Sequence, residues 1–317
     1  MEGIIKAVCI SEKRGTVKKN INEVKVIKDF GLEGDAHAGK WHRQVSFLSA
    51  DIVDEFNEKG ASVIEGDFGE NVLVYGIDFK KLPVGTKLIC NDVKFEVTQI
   101  GKECHSHCEI YKRVGDCIMP REGIFAKVLE GGMIKVGDKI KVIYPDKDMP
   151  YQAAVITLSD KGSRGERVDT SGPKASEILR EHGFEIIEEI LLPDEMAQIK
   201  KELIRLSDSR QVDLIITTGG TGLSPRDCTP EATLAVADRN VPGIAEAMRY
   251  YSLQITPRAM LSRAASVIRN RTLIVNLPGS PKAVKECLEA VLDTLAHGIR
   301  ILREEDGECG NGTSLKK

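Results

Sequence analysis

The fold of the second half of this chain is decided by the stretch from Asp213 to Gly222, which reads Asp-Leu-Ile-Ile-Thr-Thr-Gly-Gly-Thr-Gly. Its first five residues, Asp213–Thr217, predict a strand of the buried parallel type, because Leu214, Ile215 and Ile216 form an apolar run at its centre. The glycines that follow let backbone N–H groups approach an anion closely, and the threonine hydroxyls add donors. A plain tight turn would explain the same residues, since the loop is neither a Walker A motif nor a G-x-G-x-x-G fingerprint.

Strand and helix patterns alternate on both sides of this stretch. Further strands are predicted at Ala153–Leu158, Glu185–Leu192 and Thr272–Leu277, with helices opening at Ser171, Glu195, Thr229-Pro230 and Ser280-Pro281. This alternation predicts an α/β domain with a parallel doubly wound sheet. Ligands of such sheets bind at the carboxyl edge of the strands, where the strand-to-helix loops converge.

Two aspartates on these loops, Asp194 and Asp227, are the acidic candidates. A nucleotide-bound Mg²⁺ takes one or two protein carboxylates together with phosphate oxygens. A helix cap for Asp194 and a turn for Asp227 are the alternatives. Ser280 and Lys282 stand at a helix start that favours anions, although ordinary capping by Ser280 explains it equally.

The order of these motifs resembles the MogA/MoaB family of molybdenum-cofactor biosynthesis. The resemblance covers about Tyr151–Arg303. It rests on Thr218-Gly-Gly-Thr-Gly-Leu-Ser-Pro-Arg-Asp-Cys-Thr-Pro-Glu-Ala232, Asn276-Leu-Pro-Gly-Ser-Pro-Lys282, Ser159-Asp160 and Asp169-Thr-Ser-Gly172. It implies transfer of AMP from Mg-ATP to molybdopterin, with Asp194 and Asp227 as catalytic residues that hold the nucleotide-bound metal. It also implies a homotrimer, and a substrate site formed by Ser159, Asp160, Thr218, Gly219, Gly220, Thr221, Gly222, Asn276, Pro278, Gly279 and Ser280.

The first half of the chain has the pattern of β structure. Short β-prone runs are separated by glycine-rich turns, with one helix predicted at Ser49–Lys59. This spacing predicts a mostly antiparallel barrel or sandwich. The polar, proline-bracketed segment Pro145–Pro150 reads as a linker. We therefore predict domains at 1–146 and 151–303, followed by a disordered tail at 304–317.

One loop of the first half combines cationic and aromatic side chains. His37, Lys40, His42 and Arg43 surround Trp41, the only tryptophan of the chain. Such a set suits an anionic heterocycle, for example a phosphorylated pterin. We expect His37, Lys40 and Arg43 to contact this ligand, and a solvated loop is the alternative.

A second cluster in the first half is rich in cysteine and histidine. Cys104, His105, His107 and Cys108 lie within five residues, and Cys117 follows. One interpretation is a zinc or other soft-metal site. The other is a reactive thiol at Cys104, whose pKa would be lowered by Lys102 and the imidazoles.

The first half resembles the MOSC domain family over about Glu2–Tyr144. The motifs are Gly34-Asp-Ala-His37, Arg43-Gln-Val-Ser-Phe-Leu48, Gly66-Asp-Phe-Gly-Glu-Asn71, Leu82-Pro-Val-Gly85, Glu96-Val-Thr-Gln-Ile100, Gly131-Gly132 and Val136-Gly-Asp138. The resemblance implies a β-rich domain that handles the molybdenum cofactor or its sulfur. It matches the family's cysteine to Cys104 and supplies no full metal-ligand set.

Composition and charge narrow the remaining options. A net charge of −3 over 317 residues argues against a broad nucleic-acid footprint. No apolar run approaches membrane-helix length, and no secretory signal is visible, so we expect a cytoplasmic protein with reduced cysteines. The combined prediction is a bifunctional enzyme that works with other cofactor-biosynthesis proteins. Its rival is a non-catalytic pterin carrier with a metal-binding N-terminal module.

Overall fold

A computed structural model describes residues 1–102, 111, 115–146 and 149–303 of the chain. The chain divides into two compact units, Met1–Asp146 (unit 1) and Lys147–Lys317 (unit 2), in line with the predicted two-domain layout. The predicted tail at 304–317 lies outside the described residues. Within those residues, no helix combines the length and the apolar character that crossing a membrane requires.

Unit 1 consists mainly of β-strands. Its helices are α1 (Ala50–Glu58), a 3₁₀ turn (Phe79–Lys81) and α2 (Met119–Glu122). Its strands are β1 (Glu2–Ile10), β2 (Lys19–Asn20), β3 (Glu23–Ile27), β4 (Gly31–Leu32), β5 (Val45–Ser49), β6 (Val72–Tyr75), β7 (Lys87–Cys90), β8 (Val93–Ile100), β9 (Ile124–Glu130), β10 (Gly132–Lys135) and β11 (Lys139–Ile143).

Seven of these strands close into a barrel, and β10, β3 and β4 form a separate three-stranded sheet. The order is β11-β7-β8-β9-β5-β6-β1, and β1 pairs with β11 to complete the ring of seven strands. The pairings are antiparallel except for β5 with β6. Phe47 fills the interior, 5.1 Å from the Phe95 ring and 5.7 Å from the Phe79 ring. Because β1 pairs with β11, the sheet closes on itself and leaves no unpaired edge. Of the two predicted architectures, the barrel is therefore the one confirmed.

Unit 2 alternates strands and helices. Its strands are β12 (Gln152–Leu158), β13 (Glu185–Leu192), β14 (Leu214–Thr218), β15 (Arg239–Asn240), β16 (Ser266–Arg269) and β17 (Thr272–Leu277). Its helices are α3 (Asp160–Ser163), α4 (Ser171–Glu181), α5 (Met196–Ile204, continued by a π-helical turn at Arg205–Ser209), α6 (Thr229–Leu234), α7 (Pro242–Leu253), a 3₁₀ helix (Pro257–Leu261) and α8 (Pro281–Leu302).

The sheet of unit 2 is mixed rather than wholly parallel. In the order β13-β12-β14-β17-β16-β15, the first four strands run parallel and the last two pair antiparallel. The difference from the prediction arises at Asn270 and Arg271, which alone connect β16 to β17. A two-residue connection makes a hairpin, whereas a parallel pair needs a crossover of a dozen residues or more. Asn270 supports this turn with a φ of 52°.

Helices cover both faces of this sheet. Alternate residues of β12 and β14 point into two separate hydrophobic cores, as the two-residue repeat of a strand requires. One core receives α4, α7 and α8, and the other receives α5 and α6. The four parallel strands consequently end at one sheet edge, where the loops after Leu158, Leu192, Thr218 and Leu277 emerge.

Candidate functional site

The glycine loop after β14 lies at the centre of this carboxyl edge. Gly219 and Gly220 have φ angles of 102° and 62°, in the left-handed region. A β-carbon on Gly219 would stand 2.3 Å from the carbonyl oxygen of Leu158. One on Gly220 would stand 2.8 Å from Oδ1 of Asp194. Backbone conformation and space therefore both require glycine here.

Asp194 is joined to Asp160 across the edge. The backbone N–H of Asp160 donates to Oδ2 of Asp194 at 3.2 Å, and that of Asp194 donates to Oδ1 of Asp160 at 3.1 Å. The other carboxylate oxygen of Asp194, Oδ1, is buried and accepts no hydrogen bond from the described residues. Burial raises the pKa of Asp194, and the nearby charges of Asp160 and Asp227 raise it further.

Asp227 contacts the same loop two residues further on. A β-carbon on Gly222 would lie 2.9 Å from Oδ2 of Asp227. That oxygen accepts the N–H of Ser224 at 3.0 Å. Asp194 faces Gly220 and Asp227 faces Gly222, so the structure brings both carboxylates to one glycine loop. Their catalytic role stays a prediction.

Arg226 is a residue of this edge to which the sequence patterns gave no role. Its guanidinium donates to both carboxylate oxygens of Asp160, at 2.9 and 3.0 Å, and to Glu195 at 2.8 Å. The only signal in the sequence was its position directly before Asp227 in the motif. It offsets the charge of these two carboxylates, and its ion pairs in the described part of the chain do not include Asp194.

Several predicted substrate-binding side chains are engaged within the fold. The Asn276 amide is fully buried, donates to Thr217 and Thr233 at 2.9 Å and accepts from the N–H of Ala265. Thr218 is also buried and donates to the carbonyl of Pro278 at 2.8 Å. These two side chains hold β14, β17 and their loops together, so at these two positions a ligand would meet backbone groups.

The two predicted serines cap helices. Ser159 accepts the N–H of Gly162 at 3.0 Å, and Ser280 accepts that of Ala283 at 3.2 Å. Ser280 is exposed, and neighbouring Gly279 approaches the glycine loop, because a β-carbon on it would lie 3.3 Å from Gly219 Cα. Thr221, the predicted substrate-binding threonine between Gly220 and Gly222, is buried, with 6% of the residue exposed. Capping therefore accounts for the contacts that the structure shows for both serines.

In unit 1 the cationic loop is organised around Trp41. The Arg43 guanidinium lies 4.7 Å from the Trp41 ring centre and 5.6 Å from that of Phe125. Trp41 Nε1 donates to the carbonyl of His37, and Lys40 is exposed. His42 Nε2 lies 3.0 Å from Oε1 of Gln99. The loop thus presents a half-exposed aromatic ring beside cationic groups.

Behind this loop lies a buried polar cluster that the sequence patterns missed. Lys18 and Asp35 form an ion pair of 2.8 Å with both side chains almost fully buried. Asn71 and the Ser11 N–H also donate to Asp35, while His37 Nδ1 stays 3.8 Å away, beyond hydrogen-bond length. Burial alone would raise the pKa of Asp35, but the side-chain contact with His37 and the charge and hydrogen bond of Lys18 outweigh it and hold the pKa below its ordinary value.

The proposed cysteine–histidine site falls on residues that the structure leaves undescribed. Cys104, His105, His107 and Cys108 all lie outside the described residues. Cys117 is buried in an apolar cluster with Ile118 and Met119. Among residues 1–102, 111, 115–146 and 149–303, no group of three or more His, Cys, Asp or Glu side chains is arranged to hold a metal ion.

Known proteins similar to this chain match both units. Residues 154–297 match the family model described as a probable molybdopterin binding domain, and residues 34–141 match that of the MOSC domain. A molybdopterin adenylyltransferase of Helicobacter pylori is 43% identical over 150 residues, 47% of this chain and 85% of that protein. The molybdopterin adenylyltransferase of Escherichia coli K12 is 47% identical over 152 residues, 46% of this chain and 77% of that protein. A solved structure of the molybdopterin biosynthesis enzyme MoaB from Thermus thermophilus shares 50% identity, covers 49% of this chain and 97% of that one, and has a TM-score of 0.47.

Glu70 is fully buried in unit 1, directly before Asn71 in the chain, and it yields a prediction about pH. Burial raises its pKa to about 7, although the Gly66 N–H and the Lys18 charge act in the opposite direction. An unfolded glutamate loses its proton by about pH 5, whereas the folded protein keeps it to about pH 7. The free energy of unfolding should therefore fall as pH rises through this window, by about 1.4 kcal/mol for each unit of pKa difference.

Glu70→Gln, which cannot titrate, should flatten this dependence. The measurement is urea unfolding at the two ends of the window, followed by the fluorescence of Trp41, which reports on unit 1. Glu12→Gln, at an exposed position, is the control and should behave as wild type. Equal pH dependence in wild type and Glu70→Gln would contradict the burial argument.

Proposed function

The chain belongs, through unit 2, to the molybdopterin adenylyltransferase family, and on that premise we propose that unit 2 transfers AMP from Mg-ATP to the terminal phosphate of molybdopterin. The observation that carries the proposal is the placement of Asp194 and Asp227 beside one glycine loop. Two converging carboxylates suit a nucleotide-bound metal ion, which the adenylyl transfer requires and which the binding of a pterin alone does not.

The residues of this edge suit a nucleotide-bound magnesium ion. Mg²⁺ prefers hard oxygen ligands, and Oδ1 of Asp194 is a buried carboxylate oxygen without a hydrogen-bond donor among the described residues. Because no set of three protein ligands occurs in the described part of the chain, the phosphates would have to complete the coordination. One or two carboxylates plus phosphate oxygens is the usual arrangement for a nucleotide-bound Mg²⁺.

Catalysis by these residues would rest on positioning and charge. An oxygen of the substrate phosphate attacks the α-phosphorus of ATP and forms the new P–O bond. The bond from the α-phosphorus to the bridging oxygen breaks, and pyrophosphate leaves with that electron pair. The backbone N–H groups of Gly219–Gly222 would hold phosphate or pterin oxygens, and Gly279 with Ser280 would close the other side. Bound Mg²⁺ would supply charge neutralisation.

We propose a second role for unit 1, the binding of the cofactor or the handling of its sulfur. The match of residues 34–141 to the MOSC domain supports this proposal. The Trp41 ring beside Arg43, with Lys40 exposed nearby, offers a surface for an anionic heterocycle. Cys104 would be the reactive thiol, and the soft-metal site is its alternative.

We also propose that the chain forms a homotrimer through unit 2 and works in the cytoplasm with other cofactor-biosynthesis proteins. Apolar side chains that are exposed in the single chain support self-association, among them Tyr250 on α7 and Met260 on the 3₁₀ helix. Sedimentation should give about three times the chain mass of 34.8 kDa. A stable monomer at micromolar concentration would contradict this proposal.

Substitution of either catalytic aspartate tests the proposed reaction. Asp194→Asn and Asp227→Asn keep the size of the side chain but lose the charge that a metal requires, so AMP transfer should fall by a factor of about 100 or more. Pterin binding should stay within a few-fold of wild type. The assay incubates the full chain with molybdopterin and Mg-ATP and detects the adenylylated product by mass spectrometry.

Asp293→Asn, at an exposed position on α8, is the matched control and should keep full activity. Wild type that binds molybdopterin and forms no adenylylated product would favour the carrier. Full activity in both Asn variants would remove the aspartates from the mechanism.

Thiol labelling tests the proposed role of Cys104. At neutral pH, alkylation should reach Cys104 faster than Cys90 or Cys287, since the latter two are buried. Burial raises the pKa of the Cys90 thiol to about 12, which leaves little of the reactive thiolate. Peptide mapping by mass spectrometry gives the individual rates. If Cys104 reacts no faster than these two, and the chain holds no metal, both interpretations of the cluster fail.

A further inference from the structure

Arg263 lies on the connection from the 3₁₀ helix to β16 and contacts the segment that follows the glycine loop. Its Nε donates to the carbonyl of Gly222 at 2.6 Å, and its Nη2 donates to the carbonyl of Asp227 at 2.6 Å. Its Nη1 pairs with Glu231 on α6, and its backbone N–H donates to the carbonyl of Thr221 at 2.9 Å. One residue thus joins both ends of the segment 222–227.

Between these ends the segment is held by the Arg226 guanidinium, which pairs with Asp160 and Glu195, and by hydrogen bonds within itself. Leu223, Ser224, Pro225 and Arg226 are exposed. The N–H of Asp227 donates to the carbonyl of Ser224 at 2.9 Å, and the N–H of Ser224 donates to the Asp227 carboxylate at 3.0 Å. These two bonds lie within the segment, whereas the Arg263 guanidinium joins it to the connection between the 3₁₀ helix and β16.

We infer that Arg263 is a positioning residue, which fixes the segment so that the Asp227 carboxylate stays beside the glycine loop. The inference rests on the proposed function of unit 2. Among the contacts of the described residues, Arg263 bonds the carbonyl of Asp227 and not its carboxylate, so the carboxylate stays available to a metal ion. Arg226 differs, because its guanidinium pairs with the carboxylates of Asp160 and Glu195.

The chemistry of the contact explains why arginine stands there. A guanidinium is planar and directs several N–H donors at fixed angles, so it can reach two carbonyls and a carboxylate at once. A lysine ammonium is a point charge and would keep one of these contacts at a time. Loss of the Arg263 guanidinium would let the segment 222–227 shift. A displacement of about 1 Å at a reacting centre costs about 100-fold in rate.

The test compares Arg263→Ala and Arg263→Lys with Arg258→Ala in the full chain. Arg258 is exposed on the preceding 3₁₀ helix and serves as the matched control. Hydrogen exchange should quicken in the peptide spanning residues 222–228 of Arg263→Ala, by about tenfold or more. The kcat of AMP transfer should fall by about 100-fold, while KM for ATP changes by less than about threefold. Arg263→Lys should lie between Arg263→Ala and wild type in both measurements.

A rescue experiment separates positioning from general stability. Millimolar guanidinium should restore part of kcat to Arg263→Ala and none to Asp227→Asn, since only the first variant lacks that group. Faster exchange with unchanged kcat would overturn the positioning role, and unchanged exchange would overturn the tether itself. A wild type that forms no product would refute the proposed function, and the exchange rates would then still decide whether Arg263 holds the segment.

Discussion

A β-carbon on Gly219 would meet the carbonyl oxygen of Leu158 at 2.3 Å, so the chain can leave β14 along this path only without a side chain. The absence of a side chain at Gly220 also lets Oδ1 of Asp194 approach the backbone, and its absence at Gly222 makes room for the Asp227 carboxylate. Side chains of neighbouring residues hold the glycine loop close to the other loops of the edge. Thr229 donates to the carbonyl of Gly219 at 3.0 Å, and Thr218 holds the adjacent loop through Pro278. The geometry of the edge therefore depends on three glycines, and the carboxylates take their places from the backbone.

Crowding of like charge is the second constraint on this edge. Asp160 and Asp227 both raise the pKa of Asp194, so the site carries a repulsion that a bound cation would relieve. The arginines of the edge reduce that repulsion selectively. Arg226 pairs with Asp160 and Glu195, and Arg263 pairs with Glu231 while bonding the main chain at Asp227. Neither guanidinium makes an ion pair with Asp194 or with the Asp227 carboxylate among the contacts of the described residues. Those two carboxylates are therefore the ones that remain available to the proposed metal–nucleotide complex.

Local sequence patterns predicted the features that depend on a few consecutive residues, namely individual strands and the glycine loop. Apolar runs gave β12, β14 and β17, and the glycine run together with the motif order pointed to the edge and to its family. Long-range contacts escaped these patterns. Asn276 stood in a ligand-binding motif, yet its amide bonds Thr217 and Thr233, residues 59 and 43 positions away. Arg263 belongs to no motif, and it gains its role only when β16 pairs antiparallel with β17 and brings the connection beside the glycine loop. That pairing was missed because a two-residue hairpin at Asn270 interrupts a pattern that is otherwise parallel.

The two units present opposite electrostatic surfaces to the proposed ligand, a phosphorylated pterin. The edge of unit 2 is lined by Asp160, Asp194 and Asp227, so an anionic ligand reaches it favourably only with a cation or through backbone N–H groups. The Trp41 loop of unit 1 carries Arg43 and Lys40 beside an aromatic ring and can accept an anion without a metal. Behind this loop, buried Lys18 neutralises the charge of the Asp35 carboxylate, which would otherwise repel that anion. Metal dependence should therefore separate the two proposed sites, because chelation would remove the cation that the proposed reaction of unit 2 requires, whereas the unit 1 loop offers its own cationic side chains.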